Sequence, residues 1–87
     1  MIIFGGILIV FKTRGTCASQ ISFDLVDGTI HKVKFTGGCK GNLKGIASLV
    51  EGMKAEDVIP RLEGITCGFK ATSCPDQLAK ALREATK

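Results

Sequence analysis

The sequence predicts an α+β domain: a three-stranded antiparallel sheet followed by three helices packed on one of its faces. Two observations lead there. Apolar residues alternate with polar ones through Phe35, the signature of half-buried strands, and after Phe35 they recur at helical spacing. All the strand patterns come first and all the helix patterns follow, an order that puts the helices together on one sheet face.

At 87 residues the chain is one domain. A domain this small buries a modest share of its surface and benefits from a metal, disulfides or a partner subunit. With 45% hydrophobic residues, five Phe and no Trp or Tyr, it reads as globular, not disordered. The formal charge of +4 permits an acidic partner or a phosphate ligand without demanding one.

The opening MIIFGGILIVF is apolar but too short for a membrane span, which takes about 20 such residues. It also lacks the charged region and cleavage site of a secretory signal. Residues 1–11 therefore read as an apolar extension leading into the first strand, and 12–87 as the domain proper. The expected compartment is the cytoplasm, with no membrane contact. An exposed apolar first strand would also suit pairing across a homodimer.

The first strand is expected from Ile7 to Cys17. A hairpin follows over QISFDLVDGTIHKVKF. A two-residue Asp27-Gly28 turn would set Phe23 opposite Lys32 and mix the two faces. A three-residue loop, Val26 to Gly28, pairs Phe23 with His31 and Ile21 with Val33, so the longer loop is predicted. Leu43, Ile46, Ala47, Val50 and Met53 mark the first helix, which ends near Gly52. Val58, Ile59 and Leu62 mark the second, with Gly64 as its C-terminal cap. Pro60 lies inside that pattern, so this helix starts near Asp57 or kinks. Leu78, Leu82 and Ala85 mark the third, beginning at Pro75 with Cys74 as its N-cap. Ser73 and Asp76 offer an alternative cap one residue earlier.

Four cysteines stand apart from one another: Cys17 in RGTCAS, Cys39 in TGGCKGN, and Cys67 and Cys74 in ITCGFKATSCPD. Cys39 and Cys74 precede helices, where the dipole stabilises a thiolate. In a cytoplasmic chain such residues point to metal or redox chemistry more than to disulfides. One reading is a shared zinc or iron–sulfur site made by Cys17, Cys39, Cys67 and Cys74, although no close cysteine pair marks it. A second is a redox pair, Cys67 with Cys74. In a third, some of the four are small buried apolar residues. His31 is a further candidate ligand, but a rim position on an apolar strand face explains it as well. Gly37, Gly38, Lys40, Gly41 and Asn42 around Cys39 form a candidate phosphate nest or nucleotide contact at a helix start, without a Walker or Rossmann pattern. Lys12, Arg14, Lys32 and Lys34 suit a solvated sheet face. No aromatic residues interleave with them as base stacking would want.

TSCPD at 72–76, together with KTRGTC, DGTIHKVKFTGGCKGNLKGIASLVEGM and LEGITCG, resembles the TSCPD domain family. That domain forms the C-terminus of adenosylcobalamin-dependent ribonucleotide reductases and also occurs alone. The resemblance runs from about Lys12 to Lys87. It departs from the family pattern at Pro60, where a charged helix former is expected, and at Lys40, where proline is common. It implies an association with ribonucleoside-diphosphate reductase and DNA precursor synthesis, and it carries over Cys17, Cys39, Cys67 and Cys74. The chain is too small for the reductase's own catalysis. The expectation is an accessory module that binds metal or exchanges disulfides for a ribonucleotide reductase or another redox protein. The alternative is a non-catalytic structural-zinc domain that docks a partner protein or a nucleotide.

Overall fold

A computed structural model describes residues 7–16, 18–38, 40–66, 68 and 70–86. Strands β1 (Ile7–Lys12), β2 (Ala18–Val26) and β3 (Thr29–Gly37) precede helices α1 (Lys40–Val50), α2 (Ala55–Leu62) and α3 (Cys74–Ala85). The strands form one antiparallel sheet in the order β1-β2-β3. This is the predicted α+β arrangement. β1 is shorter than expected: regular pairing stops at Lys12 opposite Gln20, and Thr13 to Thr16 lie outside the ladder.

Ile21 and Phe23 of β2, with Ile30 and Val33 of β3, meet Val50 of α1, Val58 and Ile59 of α2, and Leu78 and Leu82 of α3 in one core. Phe23, Ile21, Ile30, Leu78 and Leu82 are fully buried. Burial of such side chains is what holds so small a domain together.

The hairpin corrects the predicted register. Its loop has two residues, Asp27 and Gly28, with φ of 51° and 77°, and Val26 faces Thr29 across it. Two positive φ values in a two-residue loop match the twist of the flanking strands. The face-mixing that argued against this turn is real, and a bulge removes it. Asp24 faces His31, but Ser22 faces Lys34, so Phe23 stands opposite two residues. Lys32 takes a φ of 56° there. The extra residue lets Ile30 and Val33, three apart, both turn inward.

Glu51, just past α1, holds the bulge. Its carboxylate accepts the Lys32 N–H at 2.9 Å and meets His31 Nδ1 at 2.6 Å. The Lys32 N–H, then His31, draw its pKa below the usual carboxylate range. A depressed carboxylate stabilises the fold above its unfolded pKa, and that contribution is lost as pH falls through the folded value. Glu51→Gln should therefore melt below the wild type at neutral pH. The gap should close as the pH falls below the usual carboxylate range and through the depressed value of Glu51. Melting curves across pH check it, and a gap independent of pH would contradict it.

α2 begins at Ala55, earlier than Asp57, and runs through Pro60. Pro60 is exposed. Glu63 is the cap of α2, its N–H bonding Ile59 O at 2.9 Å, and Gly64, expected as the cap, follows it with a left-handed φ of 87° that ends the helix. No helix among the described residues is long and apolar enough to cross a membrane.

Candidate thiolate site at the start of the third helix

Ser73, not Cys74, is the N-cap of α3. Its Oγ accepts the Asp76 N–H at 3.1 Å, the alternative cap that the sequence contained. Cys74 is thus the first helical residue and Pro75 the second. The Cys74 thiol is free and partly buried.

Around this cap sits a knot of buried polar side chains: Thr72, Ser73, Asp76 and Gln77 are each no more than 8% exposed. Ser73, Asp76 and Gln77 are bonded outward to segments that lead to a cysteine, and Thr72 links Asp76 to Gln77 within the knot. Ser73 Oγ donates to Ile65 O at 2.7 Å, and Asp76 Oδ1 accepts the Gly64 N–H at 2.7 Å. These bonds fix the stretch that leads to position 67. Gln77 Oε1 accepts the Arg14 N–H at 3.1 Å, and a Cβ on Gly15 would lie 3.2 Å from Thr72 Cγ2. These fix the stretch that leads to position 17. Thr72 donates its hydroxyl to Asp76 Oδ2 and accepts from Gln77 Nε2 at 3.0 Å. No buried side-chain N or O among the described residues lacks a hydrogen-bond partner.

Asp76 is the centre of the knot. The Thr72 hydroxyl, the Gly64 N–H and the Lys80 ammonium, 3.7 Å away, hold its carboxyl below the ordinary range, so it is ionised. With its oxygens so engaged, it braces the site and is not offered as a metal ligand. Arg83 adds a second tie between α3 and α2, its guanidinium forking onto Glu63 at 2.9 and 2.7 Å.

The fourth segment joins through glycine. Gly37 and Gly38 have φ of 81° and 77°. A Cβ on Gly38 would lie 3.1 Å from Ala18 N and 2.8 Å from Leu43 Cδ1. The residue before position 39 is thereby packed onto the residue after position 17. The two glycines turn β3 into α1 and admit this close approach. Packing thus accounts for Gly38 and the positive φ of the turn for Gly37, whereas nothing lies within 4 Å of a Cβ on Gly41. Gly41 and Asn42 are exposed in the first turn of α1.

Cys17, Cys39 and Cys67 lie outside the described residues, as does the side chain of Lys40. Among the described residues no three His, Cys, Asp or Glu side chains stand close enough to hold a metal ion. His31 is engaged with Glu51 at the hairpin bulge, six residues along β3 from Gly37, and is a structural residue there. Sequence reasoning found Ser73 and Asp76 through their spacing but missed Thr72, Gln77, Gly64 and Arg14. Their role depends on contacts up to 63 positions apart, which no local pattern encodes.

No curated protein and no solved structure matches the chain. Residues 7–86 match the family model of the TSCPD domain, from the first strand to the end of the last helix, and the chain belongs to that family.

Proposed function

We propose that the four cysteines act as one thiolate site in an accessory module of the ribonucleotide reductase type, binding a metal ion or exchanging disulfides. One observation carries this reading. The segments flanking all four cysteines are bonded or packed to one another: 14–16 and 64–66 onto the α3 cap, and Gly38 onto Ala18. The anchored atoms lie one to three residues from each cysteine in sequence, which is the ground for treating the four as one site.

The donor set fits such a role. Four thiolates suit zinc or an iron–sulfur cluster, held by Cys17, Cys39, Cys67 and Cys74. A metal so held would brace the segments against one another or, as a cluster, carry an electron. In the metal-free form Cys67 and Cys74 are the exchange pair. One thiolate attacks a partner disulfide, and the other resolves the mixed disulfide. The chain's own contribution is positional. Ser73 and Asp76 tie the segment before Cys67 to the helix that begins with Cys74. The family's link to reductase tails supports a partner of that kind in DNA precursor synthesis. The cytoplasm is the compartment that suits free thiolates.

Single Cys→Ser variants test the shared site. Each should change the alkylation rate of the remaining thiols, read residue by residue by mass spectrometry, by roughly tenfold or more. Four thiols that react independently of one another would sink the proposal.

A further inference from the structure

The sheet has a second edge, β3, and the chain closes only half of it. Beyond the turn, Gly52 donates to Ile30 O and Ile30 to Met53 O, both at 2.8 Å. Thr29 bridges to Lys54, and Glu51 takes the Lys32 N–H. The segment after α1 thus covers β3 as an added strand would. From Val33 to Gly37 that cover ends. Among the described residues, no backbone hydrogen bond from any element but β2 reaches this stretch.

Beside the open half lies a cleft of about 560 Å³ between β3 and α1. Val33 and Phe35 form one apolar wall, and Leu43 and Ala47 the other. Lys34 of β3 and Lys44 of α1 also line it, and among the described residues no acidic side chain does. Neither lysine joins an ion pair among the described residues. A lysine on an edge strand often serves only to discourage pairing. That accounts for Lys34 but not for Lys44, which comes from the helix and guards no edge.

We propose that this cleft binds an extended segment of a partner protein in which apolar and acidic residues alternate, added to β3 as a fourth strand. Strand addition supplies main-chain hydrogen bonds, while pockets for alternate side chains supply selectivity. The segment's apolar residues would face Val33, Phe35, Leu43 and Ala47. Its alternating carboxylates would project to the other face, toward Lys34, and an acidic residue at the end of the segment, beside α1, would meet Lys44. The open stretch of five residues offers about 17 Å of edge, enough for a short strand. Nothing in this depends on the cysteines, so the proposal stands or falls apart from the thiolate site.

A phage-displayed library of random peptides, selected on the full chain, is the probe. The enriched peptides should alternate Asp or Glu with Val, Ile, Leu or Phe. Their binding should fall roughly tenfold or more in the Lys34→Glu/Lys44→Glu variant and stay unchanged in Lys12→Glu. On the wild-type chain the bound peptide should slow amide exchange at Val33 to Gly37, a readout independent of how the variant folds. The proposal is overturned by no enrichment, by basic peptides, by undiminished binding to the doubly reversed variant, or by protection elsewhere. Self-association of the chain through this face would overturn it too, by naming a second copy as the occupant.

Discussion

Replacing Asp76 with alanine should cost about 4 kcal/mol of stability, a large part of what a small domain has. The buried carboxylate accepts two hydrogen bonds, from the Gly64 N–H at 2.7 Å and from the Thr72 hydroxyl. Bonds to a charged acceptor contribute about 1.5–3 kcal/mol each, and truncation strands both donors. Thr72 would then also hold Gln77 less firmly, and Gln77 anchors Arg14. These residues share one network, so the loss belongs to the network and not to any single contact. Chemical denaturation monitored by circular dichroism measures it. Asp76→Asn, which keeps one acceptor oxygen, should lose about half as much. A loss under about 1 kcal/mol for Asp76→Ala would show that the knot does not hold the site.

Gly38→Ala should be the second most damaging change, at about 3 kcal/mol. Two costs add. The left-handed backbone at φ 77° disfavours any side chain. The new methyl would also press on Ala18 N, a backbone atom, and on the end of Leu43. Gly28→Ala separates the two costs. Gly28 has the same φ of 77°, but nothing lies within 4 Å of a Cβ there. That variant should lose only about 1–2 kcal/mol, the conformational part. Equal losses at the two positions would remove the case that Gly38 pins the segment before Cys39 to the one after Cys17.

Periodicity made the element order, the helix faces and the helix end at Gly64 legible, because each rests on residues a few positions apart. The hairpin register was not legible. Counting residues from Asp27-Gly28 gave the wrong parity, since the bulge at Lys32 is stabilised from a distance by Glu51. No hydropathy pattern marks a lysine that will adopt positive φ. The α3 cap was half legible: Ser73 and Asp76 have capping spacing, but Cys-Pro suggested a start one residue later. Ser73 prevails because its hydroxyl both caps Asp76 and binds Ile65, whereas a thiol is a weak partner for either. The ties from Arg14 and Gly38 were invisible, being contacts between distant segments made by a backbone N–H and a missing side chain.

The proposal that the four cysteines form one site is tested most directly by metal analysis of the chain purified without oxygen, chelators or a histidine tag, with reactive thiols counted on the same sample. The account predicts one of two results: about one zinc ion, or iron in cluster proportion, per chain with the four thiols shielded together until denaturation, or a metal-free chain in which Cys67 and Cys74 react fast and as a pair. A metal-free chain whose four thiols alkylate independently, each at the rate of an ordinary exposed cysteine, would contradict it.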